Sequence, residues 1–167
     1  MAFVTPVIGT QTGLHNSYNI DFTVGAGKTN VLTDVQLVQV LLRLVHFELK
    51  KPVAPPAGEK PIVVDGKLGQ STLRYIAHWQ RKAKADGIKV LLDGVFDPYR
   101  KQGELSHIAH VSYTFELLNI ICNNECVLQG MDNYKNLPKR TDIPTELRGE
   151  LGLPSRVVAK QYQRELG

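Results

Sequence analysis

Three groups of residues in this chain have types and spacings that could do chemistry. GAGKT at residues 25 to 29 ends like a phosphate-binding loop. The full pattern needs a glycine five positions before Gly27, where Phe22 stands, and no strong helix start follows Thr29, so nucleotide binding is not expected. His107 and His110 are spaced to share one side of a helix, and Cys122 and Cys126 lie four residues apart. A continuous helix would hold His110 and Cys122 about 18 Å apart at ~1.5 Å per residue, far beyond one coordination sphere. No metal and no cofactor are expected, and Cys122 reads as a small core residue.

Paired carboxylates would need to face one cleft, whereas Asp65 and Asp93 each precede a glycine and read as turn residues. No nucleophile elbow, zinc-protease helix or Cys-His signature is present, so the expectation is a noncatalytic protein. The third group is basic. Residues 67 to 89 hold Lys67, Arg74, Arg81, Lys82, Lys84 and Lys89 against Asp86 alone, a local charge of +5 that exceeds the whole-chain value of +4. Residues 90 to 130 carry a local charge of −3. Such a segment is either a solvated helix face or a surface for an anionic partner.

The chain has 167 residues, 43% of them apolar, which fits one full domain or two very small ones. No apolar run reaches the length of a membrane span, and residues 1 to 18 lack a basic start and a long apolar stretch. Neither membrane insertion nor a standard export signal is expected. The chain reads as cytoplasmic as synthesised, with any delivery to the cell envelope by a non-standard route. Two cysteines cannot build a multi-bridge scaffold.

Residues 1 to 32 mix glycine, threonine and β-branched stretches, which predicts an extended segment or small hairpin. A helix is predicted from Thr33 to about Lys50, with Thr33 as cap and Gln36 completing a capping box. Val35, Val38, Leu41, Leu42, Val45 and Leu49 fill one face and Leu37, Val40, Leu44 and Phe47 most of the other, so protein should surround it. Four prolines between residues 50 and 61 predict an exposed loop. After IVVDG, a second helix runs from Ser71 to about Ala85, with Thr72, Ile76, Trp79 and Ala83 on one side and Arg74, His78 and Arg81 on the other. KVLLDGVFDP is a further extended piece. A long helix is predicted from Glu104 to Leu128 with Ile108, Val111, Phe115, Leu118 and Cys122 as its stripe and Gly130 as its stop. Pro144 at a first helical position and Ser155 as a cap predict short helices over 143–151 and 156–165.

DVQLVQVLL at 34 to 42, DGKLGQSTLRYIAHWQ at 65 to 80 and DGVFDP at 93 to 98 occur in an order that resembles the peptidoglycan-binding-like module. In that family a helix with a Val-Gln pair is followed by an Asp-Gly turn, a second helix ending in an aromatic-Gln pair, and another Asp-Gly turn. Val38, Gln39, Leu41 and Leu42 match the first helix, Asp65, Gly66, Gly69 and Thr72 the first turn, Ile76, Trp79 and Gln80 the second helix, and Asp93 with Gly94 the second turn. The resemblance covers about residues 30 to 100 and implies a mainly α fold. That fold has an orthogonal three-helix core, short extended segments and a C-terminal helical appendage. The implied organisation is an N-terminal segment over 1–32, the helical domain over 33–130, and the appendage over 131–167 packed on the same domain.

The residues themselves support this frame. Asp-Gly turns the chain tightly, Gly69 would permit close backbone approach before Ser71 or Thr72 caps the helix, and Gln39 and Gln80 can satisfy turn backbone groups. Trp79 reads as a core anchor rather than a sugar-stacking platform. The proline-rich insertion, Asp97 in place of a second Gly69, and the long third helix depart from the family pattern.

The resemblance implies a noncatalytic module for bacterial cell-wall peptidoglycan. Arg74, His78 and Arg81 would meet stem-peptide carboxylates in a shallow groove beside the second helix, and Lys67 and Tyr99 would border it. No nucleic-acid partner is expected. The alternatives are an interaction adaptor of a phage particle or secretion apparatus that keeps the fold without the glycan, and a lytic enzyme whose site has no recognised signature.

Overall fold

The computed structural model describes residues 1–9, 13–98 and 113–153. The fold is mainly helical. Strand β1 (Phe3–Gly9) and strand β2 (Gly13–Asn19) form an antiparallel hairpin, with Phe3 opposite Asn19 and Gly9 opposite Gly13. The two-residue strands β3 (Val24–Gly25) and β4 (Val95–Phe96) pair antiparallel and bring the second Asp-Gly region beside the start of the chain. The IVV stretch at 62–64 pairs with no strand.

Helix α1 (Leu32–Arg43) is the centre of the molecule, with every residue from Thr33 to Leu42 buried. Its apolar residues all round require this surrounding. The capping box does not form. Val31 occupies the cap position, Thr33 Oγ1 has no hydrogen-bond partner among the described residues, and Gln36 Nε2 donates instead to Glu146 Oε1 at 2.8 Å. Asp34 takes over the work at this end: its buried carboxylate accepts the Asp21 and Phe22 backbone N–H groups and so ties the chain entering α1 to the helix itself.

After Arg43 the helix widens into a π turn over Leu44–Glu48 and ends before Lys50, because Leu49 is already extended. Helix α2 (Gln70–Ala85) closes with Gly87 at φ 84°, where the Ile88 N–H reaches Ala83 O and the Gly87 N–H reaches Lys84 O. This is a glycine-terminated helix stop. Helix α3 (Thr114–Leu128) ends in the same way at Gly130, with Met131 N–H on Cys126 O at 2.8 Å.

The third helix starts at Thr114, not in the continuous run from Glu104, because Tyr113 is extended at ψ 121°. No continuous helix therefore runs from Glu104 to Leu128 to fix a spacing between His110 and Cys122. Tyr99, His107, Ile108, His110 and Val111 lie outside the described residues, as do Ser155 and the 156–165 helix. A single 3-10 turn (Leu137–Lys139) precedes helix α4 (Thr145–Leu151), where Pro144 is the cap residue and not the first helical one.

One hydrophobic core joins these parts. It includes Ala2, Val4 and Tyr18 from the hairpin, Leu41 and Leu42 from α1, Ile76 and Trp79 from α2, Phe115 and Leu118 from α3, and Leu147 and Leu151 from α4. Among the described residues no helix is long and apolar enough to cross a membrane.

Candidate binding face on the second helix

Two glutamine clasps fix the position of α2. Gln39 Oε1 accepts the Asp65 and Gly66 N–H groups at 3.1 and 2.9 Å, while its Nε2 donates to Asp65 Oδ1, Lys67 O and Thr72 Oγ1 at 3.0, 3.1 and 3.2 Å. Gln80 repeats the arrangement one element later. Its Oε1 accepts the Gly94 N–H at 2.8 Å, and its Nε2 donates to Asp93 Oδ1, Val95 O and Thr114 Oγ1. Each glutamine thus satisfies a turn's inward backbone groups, which would otherwise be buried unpaired. The Lys67 N–H and the Gln39 amide hold the Asp65 carboxyl below the usual carboxylate range, which keeps it an acceptor.

The turn glycines have different constraints. Gly66 sits at φ 73°, and a β-carbon there would meet Leu32 Cδ1. Gly69 is at φ −98° with nothing near its missing side chain, so close approach belongs to Gly66 and not to Gly69. Neither Ser71 nor Thr72 caps α2. Ser71 Oγ donates to Glu59 and Thr72 serves the first clasp. Trp79 is 3% exposed and donates from Nε1 to Thr114 O at 3.1 Å, the geometry of a core anchor rather than a sugar platform.

The outer face of α2 presents Arg74, His78 and Arg81, and two of them already have partners. The proline-rich segment 50–61 lies along this face. Glu59 brings its carboxylate to Arg74 Nη1 at 2.8 Å and to Ser71 Oγ at 3.2 Å. His78 Nε2 meets Ala54 O at 2.9 Å, and the Tyr75 hydroxyl donates to Lys60 O at 2.6 Å. Behind them His46, buried in the π turn, meets Val53 O through Nδ1 at 2.9 Å, and Val53 N–H returns to Val45 O. The His46 and His78 rings are 5.7 Å apart.

The segment itself holds no buried residue, so its exposure agrees with its composition while its attachment to α2 does not follow from it. Lys67 and Arg81 are exposed, with Lys67 beside the first clasp and Arg81 beyond the segment's last contact, at His78. Tyr99 lies outside the described residues, so its place at the border is not assigned.

Four residues with a part in this face have no motif to announce them. Ser71, Tyr75 and Glu59 look like ordinary helix and loop positions, and His46 sits in an apolar run that reads as core. Thr114, the second clasp's threonine, was hidden because 21 residues separate it from Asp93, against seven between Asp65 and Thr72. Comparison with family models, with curated proteins and with solved structures gives no match for this chain.

Proposed function

We propose that the chain is a noncatalytic binding module for bacterial cell-wall peptidoglycan, built on an orthogonal three-helix core of the peptidoglycan-binding-like type. The frame is supported by the two clasps, since the glutamines, aspartates and glycines that carry the resemblance are also the groups that hold α1, α2 and α3 to their turns.

One observation carries the binding reading: Arg74 and Ser71 together hold a carboxylate, that of Glu59. Beside them His78 and Tyr75 hold main-chain carbonyls. A carboxylate and peptide carbonyls in an extended chain are the groups a peptidoglycan stem peptide carries, and guanidinium is well suited to the first. Arg81 and Lys67 extend the positive charge to either side.

Cosedimentation with purified peptidoglycan tests it. Enrichment over a nonbinding polysaccharide at low and physiological salt, reduced in Arg74→Gln and Arg81→Gln, is the expected result. Absence of enrichment at both salts removes the reading.

A second reading, the adaptor of a phage particle or secretion apparatus, is favoured by a different observation. Ile120, Val127 and Leu128 stand exposed along α3 and present apolar surface to a protein partner. Protein that fails to sediment with peptidoglycan but forms a stoichiometric complex lost in Leu128→Lys would select it.

A further inference from the structure

We propose that residues 50–61 are a displaceable strap, which occupies the ligand face of α2 in cis and is released in acid by a two-histidine latch formed by His46 and His78. The inference rests on α2 presenting the ligand face, and adds how access to it is controlled.

The strap is built to move as a unit. Its flanking residues Leu49 and Ile62 are buried at 3% and 5% exposure, while nothing between them is buried. Lifting it therefore takes no fully buried side chain out of the core, and the core contact it gives up is that of half-buried Val53. Four prolines restrict the chain and lower the entropy lost when it re-seats. Its contacts with α2 are an ion pair whose Arg74 side is 62% exposed, a bond from Ser71 Oγ to the same carboxylate, and bonds to two main-chain carbonyls. An exposed pair of this kind contributes little. Its first residues, Lys50 and Lys51, stay tied to Gln129 at the end of α3. The strap also imitates a ligand, setting an acidic side chain and the Ala54 and Lys60 carbonyls against α2 from either side of a turn at Ala57 and Gly58.

The latch depends on charge. Because Val53 O only accepts, the His46 Nδ1 must carry the proton, which leaves Nε2 as a buried acceptor with no partner among the described residues. Protonation turns Nε2 into a buried donor with no acceptor at full hydrogen-bond distance among the described residues, although the Ala54 carbonyl lies near the ring. Among the described residues, the titratable and charged groups around His46 are Tyr75, His78 and Lys82, all from α2, and the strap offers it carbonyls. None of the three can neutralise an imidazolium, and burial together with the charges of His78 and Lys82 outweighs the pull of the Val53 and Ala54 carbonyls on the proton. Burial holds the His46 imidazole below its ordinary range, so this group's stability contribution is present above the unfolded value and falls as the pH drops through it. Of the segments packed on His46, the strap has the least buried surface, so its release is the smallest change that brings water to the ring.

Hydrogen exchange on the full chain, corrected for intrinsic rates, tests this at about pH 7.5 and about pH 5.5, on either side of the ordinary histidine range. Protection of the Val53 amide is expected to fall severalfold, by up to about tenfold, in acid, while the Leu41 and Leu42 amides keep theirs. His46→Gln should hold strap protection constant across the two conditions, and His78→Gln, a milder change at a half-buried position, should shrink the response. Equal protection of Val53 at both conditions overturns the strap, as does an undiminished response in either variant. Cosedimentation with purified peptidoglycan, run in parallel, separates the two ideas. Retention that rises as the strap opens supports both; an open strap without retention removes the glycan reading alone; retention while Val53 stays protected removes the strap alone.

Discussion

Gln39 on α1 and Gln80 on α2 stand in the same relation to successive Asp-Gly turns. Each donates from Nε2 to its aspartate Oδ1 at 3.0 Å and accepts its glycine N–H, at 2.9 and 2.8 Å respectively. Each also donates to the threonine of the following helix, Thr72 or Thr114. A single device therefore links α1 to α2 and α2 to α3, and the long insertions that separate its parts leave its geometry unchanged.

Removing either clasp takes the partner from a turn glycine N–H, buried at Gly66 and part-buried at Gly94, and from one inward-facing turn carbonyl. Gln39→Ala and Gln80→Ala are each expected to lower stability by about 2–4 kcal/mol in urea unfolding, several times the effect of a surface change. The substitution to glutamate is more discriminating. It keeps the acceptor oxygen, loses every donor, and sets a second carboxylate against Asp65 or Asp93. Gln39→Glu should therefore be destabilised at neutral pH and recover part of the loss as the carboxylates protonate. A loss independent of pH would deny the direct approach of the two side chains.

The two turn glycines allow a cleaner comparison of strain with crowding. Gly66 and Gly94 have nearly the same φ, 73° and 72°, so alanine pays the same left-handed penalty at both, about 1–2 kcal/mol. Only at Gly66 would the new methyl group meet another side chain, Leu32, with Gln36 behind it. Gly66→Ala should accordingly cost more than Gly94→Ala in the same denaturation assay. The excess stays modest, because Leu32 is half exposed and can turn aside. Equal costs would show that Leu32 yields freely.

The clasps were legible because their parts are rare types at fixed positions: an amide beside apolar helical residues and an Asp-Gly pair that bends the chain. The glycine stops at Gly87 and Gly130 act through three or four neighbouring residues, and the second of them was read from sequence. What was hidden depends on distant parts of the chain. The capping box at Thr33 failed because Gln36 found Glu146, 110 residues away, and a local pattern has no access to that competitor. The helix expected from Glu104 shares its apolar spacing with α3, yet Tyr113 is extended and α3 starts at Thr114. Prolines in the 50–61 segment predicted correctly that a helix could not continue there. They carry no information on where the broken segment comes to rest, which is set by Tyr75, His78 and Arg74 on α2.

Glu48 closes the π turn and anchors the C-terminal part of the chain. Burial pushes its carboxyl up, but hydrogen bonds from Arg140 and Asn133 and the charges of Arg140 and Arg43 outweigh this and hold it below its ordinary range. A depressed folded value means stability that is present above about pH 4.5 and lost as the pH falls through the folded value. Glu48→Gln should cost about 1–3 kcal/mol at neutral pH, by loss of charge-assisted bonds, and flatten the acid limb of a stability profile. A profile as steep as the parent's would transfer that role to other carboxylates, of which Asp142 is the nearest to Arg140.

Trp79 separates a structural indole from a ligand-stacking one. Phenylalanine in its place keeps an aromatic ring in the core but leaves Thr114 O without the indole N–H, so Trp79→Phe is expected to lose about 1–3 kcal/mol of stability. Its retention on peptidoglycan, normalised to folded protein, should match the parent. A selective loss of retention with unchanged stability would instead put the indole in contact with sugar.

Glu59→Gln asks whether the carboxylate corner of α2 is free to accept another carboxylate. The substitution retains the strap's length, its prolines and its carbonyl contacts, and removes only the charge held by Arg74 and Ser71. Since Arg74 is mostly exposed, the pair contributes at most about 1 kcal/mol, and the folded state should be scarcely affected. The consequence for binding is larger in proportion, because the competing carboxylate is tethered beside the site. Loss of a contribution of that size weakens the competition by up to about fivefold, and retention on peptidoglycan should rise by a comparable factor at neutral pH. Glu59→Gln combined with Arg74→Gln should lose the gain, since the incoming carboxylate then has no guanidinium to meet. A gain that survives in the double variant would place the anionic ligand elsewhere, with exposed Arg81 the next cation along the helix.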